Sequence, residues 1–252
     1  MIAEGRVIVD GHKLDTPAFK VTGAETITVD GHPVKRVEQT RLWRYHKPNG
    51  LVTTNKDPDG RPTIFDALPK DLPRVVTIGR LDLNTEGLLL LTNDGELARA
   101  MELPSTGLPR RYRARAYGRV KQQELDKLRD GIVHEGVEYR AIIATLETQT
   151  GANSWINVEL TEGKNREVRR ALESLGMKVN RLIRVSYGPM ELGTLEPSRV
   201  TEVSPTDVIK HFGPMISEKR RPLLTARGRP DKTPTQPQGR RPEGKRVKVK
   251  RR

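Results

Sequence analysis

A single aspartate, Asp82, stands in a short polar loop between two apolar runs. The runs 75–78 and 88–91 are typical of buried strands, and loops held by rigid strands often carry catalytic side chains. An ionised carboxylate in such a loop can act as a nucleophile or stabilise developing positive charge. The alternative role is structural, because an aspartate in a tight connection often caps a turn by accepting from a nearby backbone N–H. The loop alone therefore leaves both roles open.

A second candidate segment, 110–120, alternates with a period of two and predicts a strand. One face would carry Tyr112, Ala114, Ala116 and Val120, and the other Arg111, Arg113, Arg115, Tyr117 and Arg119. A solvated sheet surface would explain the second face. Contact with phosphate would also explain why it is almost purely cationic and has no carboxylate of its own.

A third segment predicts a helix, because Val168, Ala171, Leu172 and Leu175 fall at helical spacing and Gly176 is a natural C-terminal cap. We expect Lys164, Asn165 and Arg166 in its first turn. Cations there oppose the helix dipole, so an anionic partner such as phosphate would be favourable. The alternative is that Arg166, Arg169 and Arg170 form a solvated face with Glu173.

These segments, taken in order, resemble the bacterial ribosomal RNA pseudouridine synthases of the RsuA/RluB group. The resemblance rests on the loop 79–87 with its Gly-Arg-Leu-Asp motif, on the strand and helix above, and on 43–52 and 179–189. It spans roughly residues 40 to 213. It implies that Asp82 is catalytic, that Arg169 pairs with Asp82, and that Tyr112 packs on the target base and is a candidate for proton transfer. Further substrate-binding candidates are Arg80, Lys164, Asn165, Arg166, Leu182 and Ile183.

The implied reaction breaks the bond between uracil and ribose C1′, rotates the base and rejoins it through C5. Such an isomerisation needs neither a metal nor an organic cofactor, and the five histidines have no metal-ligand spacing. Asp82 could attack C1′, attack the base or assist deprotonation at C2′. The uridine must leave its stack at a cost of about a few kcal/mol. Packing of Tyr112 and of Leu182 or Ile183 on the flipped ring would offset part of that cost.

The charge is concentrated at the C-terminus. The 252 residues have a formal net charge of +14, and the fourteen basic and three acidic residues from Ser217 onward account for +11 of it. This proline-rich stretch cannot bury enough apolar surface to fold alone, so we expect a disordered arm that binds RNA. A solubilising tail is the alternative, and attraction to membranes is a weaker one.

The first segment predicts a small separate module. Residues 7–12 and 27–32 each pair an apolar strand with an Asp-Gly turn, which resembles the end of the ribosomal-protein-S-four-type RNA-binding domain. The helix pair that normally precedes these strands is reduced to one turn, so we expect a truncated module in which Ile8 or Ile27 is more exposed than a core residue. Its acids balance its bases, so we do not expect it to bind RNA independently.

In the catalytic part, strands joined by short turns and interrupted by helices predict an α+β fold with a mostly antiparallel sheet. The family resemblance implies that this sheet is mixed and bent, with flanking helices. We expect helices at 96–101, opened by a capping box of Asn93 and Glu96, and at 121–129, and strands at 139–146 and 155–160. The expected domains are a partial RNA-binding module (1–37), a pseudouridine synthase domain (38–213) and a basic tail (214–252).

The sequence supports two hypotheses about the function. The first is an isomerase that converts one uridine of ribosomal RNA, more typical of the large subunit, to pseudouridine. The second is a catalytically silent RNA-binding or ribosome-assembly protein on the same scaffold. No apolar run is long enough to span a membrane and no signal peptide is visible, so we expect a cytoplasmic protein. The resemblance implies ribosomal RNA as the partner, and we expect a monomer.

Overall fold

The first strands of the chain form a small sheet of their own. The structure, a computed structural model, describes residues 1–21, 25–34 and 38–222. The sheet has the order β2-β1-β3-β4, and its strands are Val7–Val9 (β1), His12–Lys13 (β2), Ile27–Val29 (β3) and His32–Pro33 (β4). Both predicted Asp-Gly turns are present, with positive φ at each aspartate and glycine. Ile8 and Ile27 are half-buried, as predicted, whereas Val9 is buried.

The catalytic part is built on a nine-stranded sheet whose main path runs β11-β12-β8-β13-β7-β5-β15. Two further strands join it, β14 beside β13 and β6 beside β7, while β9 and β10 form a separate hairpin. The strands are Leu42–Lys47 (β5), Val76–Ile78 (β6), Glu86–Thr92 (β7), Arg110–Tyr117 (β8), Ile132–His134 (β9), Val137–Tyr139 (β10), Ile143–Thr150 (β11), Asn153–Leu160 (β12), Lys178–Tyr187 (β13), Met190–Glu191 (β14) and Val200–Glu202 (β15).

The helices are short; four lie between strands and the last follows β15. The α-helices of the described residues are Ile64–Ala67 (α1), Gly95–Glu102 (α2), Gln122–Asp126 (α3), Glu167–Glu173 (α4) and Pro205–Phe212 (α5). Single 3₁₀ turns cover Pro104–Thr106, Lys127–Asp130, Gly213–Met215 and Glu218–Arg220. The predicted mixed, mostly antiparallel α+β fold is confirmed.

The leucine run of β7 is buried on both faces of the sheet. Leu88 and Leu90 pack into one core with α2 and α5, whereas Leu89 and Leu91 pack into another with Ile64 of α1. A third core lies under β8, β12 and β13, where α3 and α4 cover the small residues of β8. This double burial explains why the run is continuously apolar rather than alternating.

One parallel contact joins the two halves of the sheet. In the described part of the chain, every strand pair is antiparallel except β7 and β13, where Glu86 lies opposite Ile183 and Gly87 opposite Arg184. A Cβ added to Gly87 would lie 2.3 Å from the Arg184 carbonyl oxygen, and the φ of Gly87 is +103°. Only glycine allows the backbones to come this close.

Several predicted boundaries were wrong for identifiable reasons. The segment 139–146 is not one strand, because Tyr139 pairs within the β9–β10 hairpin while Ile143 pairs with β12. The cap of α2 is Asp94, whose Oδ1 accepts from the N–H groups of Glu96 and Leu97. Asn93 instead bonds backbone groups of residues 39 and 41.

The last described residues pack onto the catalytic part. Ile216 is buried in the α2–α5 core, and the N–H of Thr40 donates to the carbonyl oxygen of Arg220 at 2.8 Å. Arg220 also lies 3.4 Å from Asp94. The predicted boundary after residue 213 therefore lies inside a packed segment. The rest of the expected tail, 223–252, lies outside the described residues, as do 35–37 at the other predicted boundary.

Candidate active site

A cavity of about 800 Å³ opens beside the loop between β6 and β7. Seven of the nine predicted site residues line it: Arg80, Asp82, Tyr112, Lys164, Asn165, Arg166 and Leu182. The other two, Arg169 and Ile183, are not among its lining residues. The cavity therefore gathers side chains from segments that are far apart in the sequence.

Asp82 is half-buried, and its carboxylate makes no hydrogen bond or ion pair with any residue that the structure describes. The loop that carries it is held by other groups. The N–H of Gly79 donates to Glu102 at 2.7 Å, and Thr53 Oγ1 donates to the carbonyl oxygen of Leu81 at 2.8 Å. Because the carboxylate caps no turn, the structural role considered from the sequence does not explain it.

Lys47, at the end of β5, holds this loop and was missed as a site residue. Its side chain is buried, and Nζ donates to the carbonyl oxygens of Pro48, Asp82, Leu83 and Thr85 at 2.9–3.3 Å. Burial lowers its pKa to about 8, while the Asp82 and Glu86 carboxylates oppose the change. The only signal in the sequence was its place in the segment 43–52, which carries part of the family resemblance, just before Pro48, Asn49 and Gly50.

Arg169 of α4 is buried and bonds backbone rather than Asp82. Its Nη1 donates to the carbonyl oxygen of Val179 at 3.0 Å and its Nη2 to that of Asn84 at 2.8 Å. Burial lowers its pKa, and Asp82 acts in the opposite direction, so the two charges interact. They form no direct ion pair among the described residues, contrary to the pairing expected from the family resemblance.

Tyr112 shares one face of β8 with the buried Ala114 and Ala116, as the alternation predicted, and it also lines the cavity. Its ring is half-buried and packs against both the β8 core and the α1 core. On the neighbouring strand Leu182 lines the cavity, whereas Ile183 points the other way and packs with the α2–α5 core. Of the two alternatives for the base-packing wall, the geometry favours Leu182.

Lys164, Asn165 and Arg166 precede α4 and do not form its first turn. The helix begins at Glu167, after Arg166 in a left-handed conformation with φ of 53°. The Glu167 carboxylate accepts from the N–H of Lys164 at 2.9 Å, which closes the turn and directs these residues toward the cavity. Lys164 Nζ lies 3.2 Å from Glu162, so that its charge already has a counter-ion.

Glu167 is itself a buried group on the cavity wall. Its Oε1 is shielded from solvent and has no hydrogen-bond partner among the described residues. Burial raises its pKa to about 7, against the lowering effects of the Lys164 N–H and of Arg110. It therefore titrates in the neutral range.

Most of the arginines on the outer face of β8 have partners within the protein, which the sequence of the strand did not suggest. Arg111 pairs with Glu159 of the adjacent strand β12 at 2.6 Å, and Arg113 pairs with Glu147 of β11, one strand further along the sheet, at 2.7 Å. Arg113 also lies over the Trp155 ring. The segment itself contains neither carboxylate, because both come from other strands of the sheet. Arg115 alone of these three has no such partner in the described part of the chain.

The family model for RNA pseudouridylate synthase matches residues 41–174, which include Asp82, Tyr112 and Arg169. The chain belongs to this family. It is 46% identical to an uncharacterized RNA pseudouridine synthase of Rickettsia typhi, over 81% of this chain and 84% of the relative. It is 45% identical to the ribosomal large subunit pseudouridine synthase B of Yersinia pestis, over 76% of this chain and 62% of that one.

Solved structures agree with the RNA pseudouridine synthase assignment. A crystal structure of a pseudouridylate synthase superposes with a TM-score of 0.61 at 25% identity and covers 83% of this chain and 90% of its own. The predicted fold and enzyme class are thereby confirmed. No helix in the described ranges is long and apolar enough to cross a membrane.

Proposed function

We propose that this enzyme converts a uridine of ribosomal RNA, in the large subunit, to pseudouridine, and that Asp82 is its catalytic carboxylate. One observation carries the proposal. The Asp82 carboxylate lines a cavity, has no partner among the described residues and interacts electrostatically with two buried cations, Lys47 and Arg169. A carboxylate without a partner in the protein is available to the substrate.

The surroundings of Asp82 suit a flipped nucleotide. Tyr112 and Leu182 supply an apolar wall for the base, and Lys47 and Arg169 hold the loop backbone at residues 82–85. In the reaction the N1–C1′ bond breaks, the C5–C1′ bond forms, C5 loses a proton and N1 gains one. Tyr112 is the candidate for moving the C5 proton, because it lines the cavity and carries a hydroxyl group.

The choice of substrate rests on relatives. Two bacterial proteins at 44–45% identity are named ribosomal large subunit pseudouridine synthase B. We extend that substrate to this chain, and propose that the basic residues of the tail bring the enzyme to the RNA.

Asp82→Asn tests the proposal directly. The amide keeps the shape and loses the charge, so single-turnover conversion of an unmodified large-subunit RNA transcript should fall by orders of magnitude. Asp71→Asn, at an exposed aspartate outside the cavity, is the matched control and should leave the rate unchanged. Pseudouridine is mapped by chemical labelling.

The outcomes separate the candidate functions. More than about a tenth of the wild-type rate in Asp82→Asn, a barrier change under about 1.4 kcal/mol, would remove the aspartate from the mechanism. RNA binding without any pseudouridine in the wild type would instead favour the silent RNA-binding alternative. Conversion of small-subunit RNA only would overturn the choice of subunit.

A further inference from the structure

Two buried arginines line the catalytic cavity next to Tyr112, and the proposed mechanism does not use them. Arg110 is 6% exposed and Arg184 is 3% exposed. Neither forms an ion pair with a carboxylate within the ranges that the structure describes. Burying two like charges without a counter-ion is costly unless a partner arrives.

The arginines share one aromatic ring. The Arg110 guanidinium lies 4.7 Å and that of Arg184 5.1 Å from the centre of the Tyr187 ring. Arg110 Nη2 donates to the Tyr187 hydroxyl at 2.8 Å, and that hydroxyl donates to the carbonyl oxygen of Met101 at 2.9 Å. These contacts fix both guanidinium groups on the cavity wall.

Arg184 has donors left over. Its Nε donates to the carbonyl oxygen of Leu88 at 2.8 Å. Neither Nη atom donates to a described residue, and Nη2 is shielded from solvent without a partner. Arg110 is different, because its Nη1 donates to the carbonyl oxygens of Leu108 and Thr161. Of the two arginines, Arg184 is thus the one with donors free for a ligand, and Arg110 adds positive charge beside it.

Strand register puts this open donor beside the base-packing residue. Arg184 lies directly opposite Tyr112 on adjacent antiparallel strands, and Tyr187 lies opposite Arg110. Directly opposite side chains have Cβ atoms about 4.5–5.5 Å apart on the same face. A base on Tyr112 and an anion on Arg184 would therefore be neighbours within one nucleotide or between adjacent ones.

We propose that Arg184, supported by Arg110 and Tyr187, binds a backbone phosphate next to the flipped uridine. This inference rests on the proposed function, since it takes Tyr112 as the residue that packs on the base. Guanidinium and phosphate form strong charge-assisted hydrogen bonds, and arginine can contact two phosphate oxygens at once. The phosphate would neutralise the buried pair and fix the register of the RNA over Asp82.

Calorimetric titration of the full chain with uridine, 5′-UMP, 3′-UMP and inorganic phosphate tests the site without any turnover. We expect one of the two nucleotides to bind about tenfold more tightly than uridine. In Arg184→Gln that preference should disappear while uridine binding is kept. Arg99→Gln, at an exposed arginine outside the cavity, is the matched control and should keep the preference.

Three results would overturn the proposal. Equal affinity of the wild type for uridine and both nucleotides would do so regardless of any variant. An unchanged preference in Arg184→Gln would place the phosphate elsewhere, and inorganic phosphate binding as tightly as the preferred nucleotide would indicate a free-anion site.

Arg184→Lys keeps the charge without the planar fork, and it should keep part of the preference even if Arg184→Gln does not fold. Complete loss of the preference in a folded Arg184→Lys would contradict a charge-based contact. Calorimetry measures binding without turnover. An isomerase assay on any other variant therefore tests the proposed function and does not change the result for the phosphate site.

Discussion

At the scale of single residues, the site separates groups that face the cavity from groups that hold the loop. The Asp82 carboxylate faces the cavity, while its own backbone oxygen is bonded by Lys47 Nζ at 3.1 Å. Arg169 bonds the next part of the loop at Asn84. The two cations therefore act on Asp82 both by charge and by fixing its backbone, and neither occupies the carboxylate oxygens.

Arg169→Ala tests this description. It should reduce both the isomerisation rate and the free energy of unfolding, because the carbonyl oxygens of Val179 and Asn84 lose their donor. A double-mutant cycle with Asp82→Asn, read out by urea unfolding, measures the remaining electrostatic coupling. Since no direct ion pair is present, we expect a coupling below about 1 kcal/mol. A much larger value would show that the two side chains pair in solution.

Glu167 gives a pH dependence with a defined sign. Its pKa is raised from the model-compound value of 4.5 to about 7, so the folded state holds a proton that the unfolded state releases between these values. Its stabilising contribution is fully present below pH 4.5 and is lost as the pH rises through 7. Relative to Glu167→Gln, the wild type should lose roughly 1–3 kcal/mol of unfolding free energy over this range.

The measurement is urea unfolding at several pH values. Glu173→Gln, at an exposed glutamate of the same helix, controls for the helix and should run parallel to the wild type. A difference between the wild type and Glu167→Gln that stays constant from pH 4.5 to 7 would contradict the raised pKa.

At the scale of elements, the contact between β7 and β13 brings Asp82 from one half of the sheet against Tyr112, Leu182 and Arg184 from the other. It depends on Gly87, where a side chain would meet the backbone of Arg184. The cavity therefore depends on the close approach of β7 and β13.

Gly87→Ala should destabilise the fold by about 3 kcal/mol or more, because a positive φ and a backbone clash coincide. Gly95→Ala is the matched control, since Gly95 stands at the start of α2 with open space around it and should be neutral or slightly stabilising. Urea unfolding gives both values. If Gly87→Ala lowered the free energy of unfolding by less than about 1 kcal/mol, β7 and β13 would be able to move apart without cost.

Sequence patterns predicted those elements whose own residues determine them. The strand of Tyr112 and the leucine run followed from period and apolarity, and Asp82 followed from its place between them. Patterns could not predict contacts made across elements. Arg111 meets Glu159 through strand pairing, Lys47 meets four carbonyl oxygens through loop closure, and Asp94 rather than Asn93 caps α2 because Asn93 is held by the chain before β5.

At the scale of the whole molecule, the concentration of positive charge in the tail leads us to expect that the tail contributes to RNA affinity. Removing residues 223–252 should weaken binding of the RNA transcript and flatten its dependence on salt, because fewer counter-ions are released. The single-turnover rate at saturating RNA should stay near that of the wild type. An unchanged salt slope would mean that these residues do not contact the RNA.

A longer deletion is expected to behave differently. Removing residues 217–252 also removes Arg220, which contacts both Asp94 and Thr40, so the catalytic part itself should unfold more easily. If both deletions have equal thermal stability, the packing of the last described residues contributes nothing to the fold.

The bond between Thr40 and Arg220 makes the two ends of the catalytic part meet. A circularly permuted chain is therefore feasible, with residue 220 joined to residue 40 by a short linker and new ends opened at the β9–β10 turn, where Glu135 and Gly136 have positive φ. Because residues 40 and 220 are bonded, the chain enters the catalytic part from the N-terminal module and leaves it toward the tail at the same place.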